Sequence, residues 1–288
     1  MPMNDRQMQQ HAIALVRAVI NGNRLSARPC VDDVIGVLGL PDPKRVPMPS
    51  DKDGFHHGDQ IYVSAALTCV ERIEFTIFHE ILHILIERDR EIPSELHDHF
   101  YGQDKQKELQ VLESLCQTGA AEFVMPSVEY VALVQAAGWK LAAIGDAAGQ
   151  FGCSVIASAF TFAHHYPGPC TVLVCEHGYL RKEPPRVGKL IQTRQAETAM
   201  CLFVAYSIHN YRQKYPMCRN VSVPQTHLIH LTWLDCGEAV SKDVGFFKTK
   251  NDWKIHCEVA CLRGRAYALY LPDGPLHVSY DPAQLCLF

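Results

Sequence analysis

Residues 75–86 read Phe-Thr-Ile-Phe-His-Glu-Ile-Leu-His-Ile-Leu-Ile, and so apolar a run leaves the chain few ways to fold. Wound as a helix, Phe75, Ile77, Phe78, Ile81, Leu82, Ile84, Leu85 and Ile86 leave almost no polar face, so the spacing predicts a helix buried nearly all round. Yet that run contains His79, Glu80 and His83. Burying such groups unpartnered costs a few kcal/mol each. Residues four apart share a helix face. His79 and His83 can therefore grip one zinc ion, with Glu80 beside it to handle protons. With 15 His in 288 residues, the bare H-E-x-x-H pattern arises by composition in roughly one chain in twenty. The apolar surroundings decide against the plainer alternative, an amphipathic helix with two surface histidines. The chemistry implied is attack on a peptide bond by zinc-activated water.

The helix is predicted to run from about Val70 to Glu87, with Thr68-Cys69-Val70-Glu71 as a capping box. Gln60–Leu67 reads as a strand and a short turn, placed to serve as an edge for an extended peptide. A catalytic zinc usually takes three protein ligands. Six residues after His83 stands Asp89, but Ile86 sits where a chain turning back to the metal needs Gly. The better third ligand is Glu113, in a helical stretch carrying Leu109, Leu112, Cys116, Ala120 and Phe123 and ended by Pro126. Glu108 and Glu122 are the alternatives there. Cys116, one turn from Glu113, or Cys69, just ahead of the metal helix, is a candidate for the fourth zinc position, against the plainer reading of small buried thiols. His97, Asp98, His99 and Tyr101 are candidates to orient substrate or stabilise an oxyanion, against the plainer reading of a solvated loop.

Around this centre the chain divides at Pro167-Gly168-Pro169. Residues 1–167 are expected to form a mainly helical, zincin-like domain with a small sheet. Its helices are predicted at Asp5–Ile20, Cys30–Leu40, from Ser127 to near Gly138 and from Ser154 to near His164, with Pro41–Gly58 a loop bordering the cleft. Residues 168–288 are expected to form an α+β regulatory domain. It would hold a hairpin of Thr171–Cys175 and Tyr179–Leu180, a helix Thr193–Arg212, and strands at His227–Trp233, Lys254–Leu262 and Ala266–Leu271. The overall class is thus α+β. Arg181–Lys189 is a proline-broken basic stretch, a candidate to touch DNA phosphate against the plainer reading of a solvated linker.

Composition narrows the setting. The 12 cysteines contain no C-x-x-C pair, and the start MPMNDRQMQQ is no signal peptide, so reduced thiols in a bacterial cytoplasm are expected. No stretch reaches membrane-spanning length. A net charge of -4, with no evident helix-turn-helix, gives no support to a DNA-binding regulator. The competing class is a catalytically silent binding module or anti-repressor.

The strings EFTIFHEILH and LESLCQTGAAEFVMP together resemble the ImmA/IrrE family of bacterial and phage zinc metallopeptidases, as does FGCSVIASAF at 151–160. The likeness spans residues 30–165. Two departures, Gln117 where the family commonly has Asn and Gly119 where it commonly has Phe, leave the ligand positions untouched and bear on how that helix packs. The resemblance implies a gluzincin-like endopeptidase with Zn2+ on His79, His83 and Glu113 and with Glu80 as general base. It implies a helix-turn-helix transcriptional repressor as substrate, cleaved to relieve repression of a stress, DNA-damage or phage-defence operon. For CapP-type members it implies stimulation by single-stranded DNA, and for others a GAF-like C-terminal domain. Separately, Gln284, Leu285, Leu287 and Phe288 fit the Q-L-x-L-F peptide that binds the bacterial sliding clamp, against the plainer reading of a terminal strand.

Overall fold

The computed structural model describes residues 5–50, 52–100, 105–181, 198–210, 212, 219–245 and 254–272. Most of the basic stretch and the clamp-like peptide at 284–288 lie outside them. By compactness the described residues form two units: one holds those up to Tyr130 with Phe151–Cys153, the other Val131–Gln150 and those from Ser154 onward. The break at Pro167–Pro169 separates the helix Val155–His165 from the first strand of the larger sheet, Thr171–Arg181.

In the first unit, helices α1 (Asp5–Gly22), α3 (Val70–Arg88) and α5 (Lys105–Val124) surround one core. Met8, Ala12 and Val16 repeat every fourth residue along α1 and are fully buried. Helix α2 (Val31–Leu38) starts where the Asp33 N–H donates to Cys30 Sγ and stops at Gly39, whose φ of 64° is the left-handed stop glycine favours. Helix α3 buries Ile77, Phe78, Ile81, Leu82, Ile84 and Ile86 in nearly every direction, as its composition predicts. The expected capping box does not form. The cap residue is Cys69, without a side-chain cap bond, and Thr68 lies one position too early to reach the first-turn amides.

Pro41–Gly58 is not all loop. It contains β1 (Lys44–Val46) and β2 (Gly54–His57), which flank β3 (Gln60–Ser64), β1 parallel and β2 antiparallel to it. Strands of three and four residues are too short to show an alternating pattern. The expected peptide-binding edge is also relocated. β3 is the central strand with both edges paired, so the free edge beside α3 belongs to β2. Helix α4 (Glu91–Phe100) carries His97, Asp98 and His99, all exposed, where a solvated loop was the plainer reading; Tyr101 is outside the described residues.

Helices α6 (Ser127–Ala137) and α8 (Val155–His165) fall where expected, α8 capped by Ser154 accepting from the Ala157 N–H. Helix α7 (Leu141–Gln150) was not anticipated. Its Leu141, Ala143, Ile144, Ala147 and Ala148 are buried, and its Leu141 N–H donates to Glu258.

The larger sheet is antiparallel, in the order β5-β4-β8-β7-β6, with β4 (Thr171–Arg181), β5 (Thr198–His209), β6 (Glu238–Gly245), β7 (Lys254–Leu262) and β8 (Arg265–Leu271). Three expectations fail here. Glu176-His177-Gly178 is no turn: β4 runs straight through it, pairing Gly178 with Cys201, with a bulge between Val174 and Cys175. Thr198–His209 is β5, not helix, and buries Leu202, Val204 and Ile208 at alternate positions interrupted by the exposed Tyr206; residues 193–197 are outside the described ones. His227–Trp233 is not a strand, because the His227 ring caps helix α9 (Leu228–Leu234), which buries Ile229 and Thr232 three apart. Among the described residues, no helix is long and apolar enough to cross a membrane.

Candidate metal centre

Helix α3 puts His79 and His83 one turn apart, and α5 brings Glu113 to them. His79 Nε2 lies 3.2 Å from His83 Nε2 and 3.1 Å from Glu113 Oε2, and His83 Nε2 lies 3.4 Å from Glu113 Oε1. An ion with tetrahedral bonds of about 2.0–2.1 Å separates its ligands by about 3.3 Å, so these spacings fit one ion. Among the described residues these three are the group of His, Cys, Asp or Glu able to share a metal. The imidazoles are sheltered and Glu113 is half exposed, which leaves one side open to solvent. Hydrogen bonds from His79 and His83 hold the Glu113 carboxyl well below the usual carboxylate range, with burial opposing.

Two close helix contacts bring Glu113 here. Phe78 and Phe123 stack with ring centroids 4.7 Å apart. Gly119 faces Leu82, where a Cβ would stand 2.5 Å from Leu82 Cδ1. A larger residue at 119 would wedge the helices apart, so glycine suits this packing.

The alternative ligands are occupied elsewhere. Arg17 Nε donates to Glu122 Oε1 at 3.0 Å, and the Ser127 N–H donates to Glu122 Oε2 at 3.1 Å. Asp89 ends α3 and accepts from His11 Nε2 at 2.6 Å. Glu108 lies further back on α5, outside the group. Cys116 is fully buried; burial pushes its thiol up, and the carboxylates of Glu113, Glu80 and Glu87 push the same way. Cys69 is exposed and donates to Glu71. Neither thiol belongs to the group able to share a metal.

Glu80 is nearly buried and faces β2 rather than the core. His56 Nδ1 donates to Glu80 Oε2 at 3.0 Å, and His56 Nε2 donates to Glu87 Oε1 at 3.1 Å. The Glu80 bond raises the His56 pKa, burial opposes, and the Glu87 bond adds to the rise. The His56 ring also stacks on His83, centroids 5.4 Å apart. Strand alternation puts Gly54 and His56 on one face, and a Cβ at Gly54 would sit 2.6 Å from Thr76 Cγ2. The hairpin is tied along α3 at both ends: Arg72 makes two hydrogen bonds to Asp53 at 2.8 and 2.9 Å, and Arg88 donates to Asp59 at 2.7 Å. Sequence reading missed His56. The available signal was a His-His pair before the Gly58-Asp59 turn, but pattern alone does not say which His faces the helix.

No family model matches the chain. It is similar to the radiation response metalloprotease IrrE of Deinococcus radiodurans, 24% identical over 250 residues, spanning 87% of this chain and 72% of that protein. It is also similar to the protein of the same name from Deinococcus deserti, 32% identical over 105 residues, or 36% of each chain. Among solved structures, a Mycobacterium tuberculosis transcriptional regulator shares the fold, with a TM-score of 0.51 and 11% identity over 94% of this chain and 81% of that one.

Proposed function

The chain is a relative of the IrrE/ImmA metallopeptidases, and on that premise we propose that it is a zinc-dependent, gluzincin-like endopeptidase. The observation that carries this is the convergence of His79 Nε2, His83 Nε2 and the Glu113 carboxylate at 3.1–3.4 Å, from two helices, beside a sheltered glutamate. The relatives, both radiation response metalloproteases by name, support a protease. Two imidazoles and a carboxylate are a donor set zinc accepts. When bound, zinc lowers the pKa of water and polarises the scissile carbonyl.

The chain's own residues do the rest. His79, His83 and Glu113 hold the ion and leave one side open. Glu80 accepts the proton of the attacking water and delivers it to the nitrogen of the breaking C–N bond, so that acid and amine leave together. The free edge of β2 receives the substrate backbone as an added strand. The substrate is a helix-turn-helix repressor whose cleavage relieves a stress, DNA-damage or phage-defence operon, and single-stranded DNA is the trigger to test first. The second unit serves as the GAF-like regulatory part. The described cysteines are all free thiols.

The test is purified protein of known zinc content mixed with the helix-turn-helix protein encoded beside it, as wild type and Glu80→Gln, with and without single-stranded DNA. One cut by the wild type alone supports the reading. Equal cutting by both removes Glu80 from the chemistry. No cut despite one bound zinc per chain favours a silent binding module.

A further inference from the structure

We propose that His56 is the positioning residue of the general base: its Nδ1–H holds one oxygen of Glu80, leaving the other free for the proton of the attacking water. This rests on the peptidase reading above. Glu80 has three side-chain torsions and sits in a helix that is apolar in most other directions, so little else on α3 fixes its carboxylate. A base left to sample several rotamers is rarely in the productive one, and sites need their groups held to about half an ångström.

The surroundings of His56 suit this task. The His56 and Glu80 side chains are only 15% and 8% exposed, so water competes weakly for the bond between them. The Glu87 side chain is 64% exposed and acts from the solvent side, bracing the far nitrogen of the ring. Thr76, Glu80 and Glu87 recur at four and seven residues and line the face of α3 that meets β2. Gly54, without a side chain, lets β2 come close enough for the imidazole to span Glu80 and Glu87. The same ring lies against His83, so one strand residue buttresses both the base and a metal-holding imidazole.

Two variants separate orientation from bulk. His56→Phe keeps a ring to stack on His83 and removes both hydrogen bonds. His56→Asn places an amide N–H where Nδ1 stood and keeps only the bond to Glu80. With the neighbouring helix-turn-helix protein as substrate, His56→Phe should lower kcat about 10–100-fold, with KM and zinc content unchanged. His56→Asn should recover at least tenfold of a hundredfold loss. A second arm needs neither substrate nor turnover: in the full-length protein with 15N-labelled histidine, Glu80→Gln should move the His56 Nδ1 resonance and Glu87→Gln the Nε2 resonance. Wild-type kcat in His56→Phe, an Asn variant no better than Phe, zinc lost with either variant, or an Nδ1 resonance indifferent to Glu80→Gln each overturns the proposal. Failure of the peptidase reading itself looks different. Glu80→Gln then cuts like the wild type, and the proposal falls although the resonances still report the contact.

Discussion

Replacing Gly119 by Ala tests how closely α3 and α5 must approach. In α5 the added Cβ would meet Leu82 Cδ1 at 2.5 Å and Cγ at 2.6 Å, about an ångström inside ordinary contact. Leu82 is fully buried and cannot simply swing aside. Such overpacking costs about 1–3 kcal/mol. Alanine returns about 1 kcal/mol of helix propensity. The net expectation is a loss of about 0–2 kcal/mol. Gly36→Ala in α2 is the control: a helical glycine with nothing within 4 Å of its would-be Cβ, so it keeps the propensity gain and should stabilise by about 0.5–1 kcal/mol. The clash also moves the metal centre. Glu113 lies six residues before Gly119, about 9 Å along the axis. A shift of α5 by half an ångström or more loosens its carboxylate from the two imidazoles, so zinc affinity should fall about tenfold. Urea unfolding of both variants and chelator competition for zinc read the two effects. A Gly119→Ala protein as stabilised as Gly36→Ala, with wild-type zinc affinity, refutes the close-approach argument.

Glu113→Ala should lower bound zinc while Glu122→Ala leaves it in place, measured by metal analysis after dialysis. Glu122→Ala should instead cost about 1–3 kcal/mol in denaturant unfolding, because the Ser127 N–H loses its acceptor in a buried setting. A zinc X-ray absorption spectrum should show nitrogen and oxygen neighbours only; sulfur in the first shell would return Cys116 or Cys69 to the metal. Removing zinc with a chelator should lower Tm, by the equivalent of about 4 kcal/mol if free zinc had stood 1,000-fold above its Kd. An unchanged Tm would mean that no ion bridges α3 and α5.

In the first unit α1, α2, α3 and α5 were legible because each advertises itself locally, whereas α4, which buries Ile92 and Leu96 and otherwise faces solvent, was not. α3 is saturated with apolar residues, α5 carries an apolar stripe ended by Pro126, and Gly39 stops α2. The second unit misled because long-range pairing overrides local composition there. Glu176-His177-Gly178 has the makings of a turn, but β5 and β4 pair straight across it. The segment 227–233 is apolar enough for a strand, and what decides is the His227 ring accepting the Ile229 N–H, which starts a helix.

The candidate site divides along the same line. His79, Glu80 and His83 were visible because four-residue spacing on one helix is a local property. Glu113 was visible because a carboxylate beside an apolar stripe calls for a reason. His56 was not, because its role depends on which face of a four-residue strand meets α3, a matter of register that only the paired sheet decides. The two glycines were silent for a related reason: what Gly54 and Gly119 contribute is the absence of a Cβ where Thr76 and Leu82 need the room. α3 supplies most of the chemical groups, but their geometry comes from two neighbours that close on it from different sides, each at a glycine. A chain that kept His79, Glu80, His83 and Glu113 and filled either glycine position would retain the motif and lose the placement. The four residues therefore predict the reaction class, while the activity of this chain is predicted to depend equally on two positions that carry no chemistry.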